Sequence, residues 1–513
     1  MNKMHIASIL KSGIKKFGGI IIITLFLSSI VYSSAPLKVS VGKDILFFPI
    51  NRYPPEEWNK TYGGYGCCTS VFQTNDNGYV ITGYLYSDVF LLKLDEWGND
   101  IWLRTFGGKG LDWGMYVQQT SDNCFIVIGL TRSFGSGETD VWLLKTDEDG
   151  QELWNCTFGG EKLDEGHSGM ETDDGGYILL GVTQSFVPEK NDYWVIKTDK
   201  DGIETWNYTY GGIGWDLGMS IQQTHDNGYI MTGATDVSPD GSHQIDLGLI
   251  KIDSEGMLVW EKTFGTQRFQ DQGLSVKQTS DGGYVLTGVI KAFQDSWKGG
   301  DAWLIKTDPQ GNKEWDKIFG GFESDVAVSV IETSDQGYVV LGKTDSFGAG
   351  KYDLFLMKLD NEGDELWDIT FGGNRNEECM GSNSVQQILH EGYIIVGATE
   401  SFGDSKIGHG PWVIKVAEPT LMVQISGGFG LSATIENHGS DDLSHVNWCV
   451  NISGPLVFKT NFEGVIELLP AQSIANIDSI PIFGFGPVVI RLTSGGIGKV
   501  AKGFVLGSFI ILH

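Results

Sequence analysis

The chain has 513 residues, room for two to four domains, with 71 Gly against 13 Pro and 12% aromatics, a balance that suits many short strands joined by tight turns and excludes a disordered chain. A formal net charge of −29 excludes nucleic acid as a partner, because such a surface cannot neutralise phosphates, and it leaves cations as the favoured counterparts. Six Cys are too few for a disulfide framework.

Residues 1–34 read as an export segment. Lys11, Lys15 and Lys16 precede the apolar run Ile20 to Val31, and Ser33, Ser34 and Ala35 follow as small residues suited to cleavage. The run is short for a spanning helix. Cleaved signal and retained membrane anchor both remain open, and either places the rest of the chain outside the cell or on its surface. Membrane contact is expected only through this segment. Residues 35–57 form a lead-in.

Residues 58–418 are built from repeats. Trp58, Trp102, Trp154, Trp206, Trp260, Trp315 and Trp367 open related segments, 44 residues apart at first and 52 to 55 thereafter. Between them four strand-like runs recur in order, such as "GMSIQQT", "NGYIMTG", "DVWLLKTD" and "QELWNCTFGG". They are designated strands a, b, c and d. The a–b turn reads T-x-D-x-G-Y and the c–d turn D-x-x-G, with glycine for positive φ and aspartate as a side-chain cap. Four antiparallel strands per repeat of about 50 residues mark an all-β propeller. The b and c strands each occur seven times. The last c strand, Pro411 to Val416, has no d strand after it, whereas the chain opens with a spare d strand, "WNKTYGG". A seven-bladed β-propeller closed by pairing Trp58–Tyr62 with Trp412–Val416 is therefore expected. The recurrent Trp residues read as packing between blades, and the Lys of each c strand reads as structural, with its stem on a sheet and its head on a carboxylate.

Residues 419–513 lose the repeat. Runs such as "LMVQIS", "LSATIEN", "VNWCVNI" and "PVVIRLT" predict an immunoglobulin-like β-sandwich. The step Ile435, Asn437, Gly439 resembles small adhesion-type modules of surface proteins.

In a propeller the d–a and b–c connections share one face, and here they carry the variable material, so binding is expected there. Asp112, Asp164, Asp216, Asp271 and Asp325 recur in the d–a region, with Gly66 and Met380 at the aligned places in blades one and seven. These aspartates either cap their own turns or bind a cation such as Ca²⁺; no metal and no other cofactor is assigned. Trp113 and Trp215 lie beside them, with His167 nearby, as candidate glycan contacts. Cys379 is placed to bridge Cys67 or Cys68 across the junction of blades one and seven, and a vicinal Cys67–Cys68 bond is the alternative. Asn59, Asn155, Asn207 and Asn451 are N-x-S/T glycosylation candidates.

The motifs "TFGG" at Thr105, "QQTHDNGY" at Gln222 and "WLIKTD" at Trp303 resemble repeat arrays in exported propeller proteins of archaea and some bacteria. That resemblance implies a secreted or surface propeller and no particular activity. "KTDEDGQELW" at Lys145 is also similar to the Trp-docking repeat of quinoprotein alcohol dehydrogenases, which resemble this chain in architecture. Those enzymes have eight blades and a Thr-Gly turn where this chain has D-x-x-G. No G-x-S-x-G, H-E-x-x-H, phosphate loop or Cys/His cluster is read, and no catalytic residue is assigned. The leading expectation is a non-enzymatic extracellular scaffold engaging a surface protein or polysaccharide. The alternatives are a carbohydrate-active or quinone-dependent enzyme and a passive surface-layer spacer.

Overall fold

The computed structural model describes residues 56–512, apart from loops at 188–189, 213, 239–243, 267–268, 293–298, 389–391, 403–407 and 418–420 and, in the tail, 427, 430, 438–442, 454–460, 470–472, 481–483, 495–496 and 508. The proposed export segment and most of the lead-in lie outside the described residues, as does the tip of the long b–c loop in blade four.

All described secondary structure is β, with no helix among the described residues, and the repeats form a seven-bladed propeller. Blade one comprises Gly66–Gln73, Tyr79–Leu85, Asp88–Leu94 and Asp100–Phe106, paired in that order. Blades two to six repeat the plan from Asp112, Asp164, Leu217, Gln270 and Asp325. In blade seven strand a is split into Glu377–Glu378 and Val385–Ile388, followed by Gly392–Thr399 and Gly410–Val416. Beside the last of these lies Glu56–Thr61, antiparallel, with Trp58 opposite Lys415 and Thr61 opposite Trp412.

The Q-Q-T run of strand a holds adjacent blades together. The first Gln side chain accepts a backbone N–H from the next blade, as in Gln118 Oε1 from Glu171 (2.9 Å) and Gln222 Oε1 from Gln278 (2.7 Å). The second position accepts an N–H from the a–b turn of the preceding blade: Gln119 from Asn75 (2.8 Å), Gln223 from Asp173 (3.0 Å), Gln387 from Ser334 (3.0 Å). Farther out, the strand-d Trp of each blade meets the strand-b aromatic of the next. The seven pairs, Trp102–Phe125, Trp154–Tyr177, Trp206–Tyr229, Trp260–Tyr284, Trp315–Tyr338, Trp367–Tyr393 and Trp58–Tyr79, all have centroids 5.8 to 6.3 Å apart, within the range favoured for edge-to-face contact. The c–d turn glycine closes this contact. A Cβ on Gly150 or Gly363, both at positive φ, would sit 2.8 Å from the Trp of the preceding blade, so these two positions need glycine twice over.

In the tail, Leu421–Ser426, Leu431–Asn437 and Ser473–Ile480 form one sheet, and Leu443–Ser453, Asn461–Leu469, Gly484–Ser494 and Ile497–Gly507 belong to another. The latter continues from blade six through a bridge between Asp368 and Gly498. Ile435, Val450 and Ile490 of the tail share a buried cluster with Trp367, Ile369 and Phe371 of blade six.

Candidate functional site

The d–a and b–c loops meet on one face, where backbone bonds join them: Asp112 N–H to Ser87 O (2.6 Å), Asp164 N–H to Thr139 O (2.8 Å) and Glu377 N–H to Tyr352 O (2.7 Å). The five aspartates read as rim candidates sit at these crossings, and all are buried. Asp112 accepts from Thr131 Oγ1 (2.5 Å), Gly108 N–H (2.9 Å) and Ser133 Oγ (2.6 Å). Asp164 makes the same contacts with Thr183, Gly160 and Ser185. Asp216 accepts from Gly212 and Asp236 N–H, Asp271 from Thr266 and Lys291 N–H, and Asp325 from Gly321 N–H and Ser346 Oγ. Each clamps its d–a loop, either to a b–c loop or to the strand end beside it, in the manner of a turn cap, and their carboxylates are directed into the fold rather than at the channel rim. Among the described residues no group of three or more His, Cys, Asp or Glu is placed to hold a metal ion.

Blade seven corrects the sequence alignment. Its equivalent residue is Glu377, fully buried and bonded to Gly373 N–H (3.0 Å) and Thr399 Oγ1 (2.9 Å), not Met380. Counting back six residues from the first Gln of Q-Q reaches Asp112 from Gln118 but Met380 from Gln386. The segment between Glu378 and Val385 is longer than in the other blades, which defeats the count.

A second set of carboxylates went unread because it lies at the start of strand c, inside a motif that already looked structural. Asp88, Asp140, Asp192, Asp246, Asp301 and Asp353 each face the strand-a acid of the next blade. The first glycine of F-G-G lies between the two acids: a Cβ on Gly107 would be 2.7 Å from both Asp88 and Asp112, and one on Gly211 2.8 Å from both Asp192 and Asp216. Burial, reinforced by the neighbouring acid, pushes Asp140, Asp192 and Asp353 up to about 6. At the junction of blades seven and one both acids are absent together, with Gly410 and Gly66 in their places.

Trp113 is partly buried and stacks on Tyr84 at 4.6 Å and 19°, whereas Trp215 is 45% exposed. His167 bonds through Nδ1 to Gly218 O (2.7 Å) and lies 3.4 Å from Glu165 Oε2. Burial raises Glu165, but His167 and Arg132 outweigh it and hold the carboxyl below the usual range. The aspartates, Trp113 and His167 are thus built into the wall, and only Trp215 of the candidates stands open. The exposed side chains on the same loop face that sequence reasoning missed include Tyr65, Tyr86, Phe134, Phe186 and Phe322. The recurrent S-F-G of the b–c loop was the available signal for two of them, Phe134 and Phe186.

All six cysteines are free thiols. Cys67, Cys68 and Cys379 are buried at the junction of blades one and seven, and burial raises all three thiols. Three of the Asn candidates have a structural partner. Asn155, Asn207 and Asn59 accept from the indole N–H of Trp142 (3.1 Å), Trp194 (3.1 Å) and Trp412 (3.4 Å). Blade five meets the same need with Asp316 and Trp303 (3.0 Å). Asn451 lies on an exposed strand position of the tail.

No family model matches the chain. It is similar to the regulatory protein FlaEY of Caulobacter vibrioides, 25% identical over 207 residues, which is 36% of this chain and only 21% of that protein's length. Among solved structures it is similar to Sqt1 from Chaetomium thermophilum (TM-score 0.39, 11% identity, 87% of this chain and 97% of that one). Another is PorZ, a surface component of the type-IX secretion system of Porphyromonas gingivalis (TM-score 0.38, 9% identity, 93% and 61%).

Proposed function

We propose that the chain is a non-enzymatic, extracellular binding scaffold that engages a polysaccharide or surface protein on its d–a/b–c face. In this reading the strand at Glu56–Thr61 closes the ring and the tail is an immunoglobulin-like sandwich. The observation that carries the proposal is the asymmetry of exposed apolar groups. Tyr65, Tyr86, Phe134, Phe186, Trp215 and Phe322 stand open on the loop face, Phe322 at 92%, whereas the turns of the opposite face expose Trp97, Ile203 and Met257. Aromatics held open on a rigid frame suit stacking on sugar rings or anchoring a protein partner. Their carboxylate neighbours are buried and bonded to their own loops, so recognition on this face rests on the aromatics rather than on a cation.

The test is a thermal melt of the secreted protein against soluble polysaccharides, with Ca²⁺ and EDTA arms. A ligand at a hundred times its Kd adds about 2.7 kcal/mol. The expected result is a rise with one glycan that disappears in Tyr86→Ser/Trp215→Ser/Phe322→Ser and survives Trp97→Ser. A rise that depends on Ca²⁺ alone, or that tracks Trp97, overturns this reading.

A further inference from the structure

Blades one, four and six lack the strand-c Trp of the other blades, with Phe90, Gly248 and Phe355 in its place. In blades two, three, five and seven a strand-c Trp, lying opposite a strand-b glycine, donates its indole N–H to an Asn or Asp on strand d. Blade six keeps the acceptor, Asp368, but has Phe355 opposite Gly342. The smaller ring leaves a cleft of about 220 Å³. Phe319 of blade five lines it with Phe347, Phe355 and Met357 of blade six, and Asp325, Glu365 and Asp368 supply carboxylates. The half-exposed Ile318 stands at its edge.

Asp325 is 2% exposed, and its Oδ1 has no hydrogen-bond partner. In blades two and three the matching oxygen accepts a threonine hydroxyl. The two lysines of the blade-five outer strand are already paired, Lys313 with Asp316 (2.8 Å) and Lys317 with Asp364 (2.6 Å).

We propose that this cleft is a binding site for an alkylammonium group. A buried carboxylate oxygen without a donor is costly. An ammonium supplies an N–H donor to that Asp325 oxygen, and its charge is favoured by both the acids and the phenyl faces. Free amines and the lysine side chain of a bound peptide present the same group.

The test is calorimetric titration of the full chain at fixed ionic strength with butylammonium chloride and with N-acetyl-lysine methylamide, using NaCl as the blank. Saturable binding of at least one is expected. Tighter binding of the lysine derivative identifies a peptide side chain as the occupant, and tighter binding of butylammonium identifies a free amine. Phe355→Trp refills the cleft with the residue that four other blades carry. It should weaken binding at least tenfold while the melting temperature holds or rises. Asp325→Asn, which removes charge and leaves the cleft open, should weaken binding at least fivefold. No saturable binding of either cation, or unchanged binding in both variants, overturns the proposal. The loop-face aromatics are untouched by these substitutions, so the two proposals fail separately.

Discussion

At the scale of single residues, the most regular interaction is the ion pair between the strand-c Lys and the a–b turn acid. Lys251 lies 3.1 Å from Asp226, with side-chain exposures of 5% and 67%. Five other pairs repeat it: Lys93–Asp76, Lys145–Asp122, Lys197–Asp174, Lys306–Asp281 and Lys358–Asp335. Blade seven pairs Lys415 with Glu57. The ammonium also reaches a strand-c carbonyl, as Lys251 does at Ile252 O (3.0 Å), and it occupies space that a Cβ on Gly228 would enter, 2.3 Å away. Blade two has Cys124 at that place, and there Lys145 turns to Tyr177 Oη (3.0 Å) instead. The buried partner is the cation, so the two truncations should differ. Asp226→Ala strands a buried ammonium and should cost about 3 kcal/mol. Lys251→Met leaves a carboxylate that water can solvate and should cost about 1.5 kcal/mol. Denaturant melts of both variants check the order, and equal costs would count against a buried cation. The pairing was legible in the sequence because both residues recur at fixed places. The source of positive φ was not. Three a–b turns use Asn at that position (Asn77, Asn123, Asn227) and one uses Gln336, while the following Gly serves packing.

At the scale of elements, the outer strand of each blade is held by its Trp against the next blade, and the strand at Glu56–Thr61 makes that contact through Trp58 and Tyr79. It also places Gly98 beneath the Trp58 ring, as Gly311 lies beneath Trp260. If this strand closes the ring, Trp58→Ala should cost what Trp260→Ala costs, about 3 kcal/mol or more. It should also speed proteolysis at both ends of the ring. A Trp58→Ala melt indistinguishable from the parent would show that the strand does not carry closure. The strand count was legible because six of the seven b strands open with G-Y and every c strand keeps its Lys. Strand a of blade seven was not legible, because the extra residues between Glu378 and Val385 break the fixed spacing that ties Asp112 to Gln118. The cleft beside Phe355 was equally hidden, since a Trp-to-Phe change inside a conforming motif looks conservative until the neighbouring blade is in place.

At the scale of the whole molecule, two sets of carboxylates oppose each other in their response to pH. Six acid pairs cross the blade junctions, and burial raises Asp140, Asp192 and Asp353 to about 6. A carboxyl whose folded pKa exceeds its unfolded value binds its proton more tightly when folded. Its contribution is therefore fully present below the unfolded pKa, near 4, and is lost as pH rises through 6. The a–b turn aspartates behave in the opposite way. Burial raises them, but the bonds from Thr, Lys and backbone N–H outweigh it and hold Asp76, Asp122, Asp174, Asp226, Asp281 and Asp335 below the usual range, Asp122 and Asp174 at about 2. Their contribution is present above about 4 and is lost as pH falls toward 2. Together the two sets predict a melting temperature that peaks near pH 4, falls as pH drops toward 2 and falls again as pH rises from about 4 through 6. Asp353→Asn should flatten the alkaline limb, because the amide keeps the proton-bearing shape beside Glu377 without titrating. A melting temperature that instead climbs steadily to pH 8 would mean that the junction acids ionise freely in the folded ring. The pairs would then be ordinary solvated carboxylates, and the absence of both acids at Gly410 and Gly66 would have no electrostatic reason.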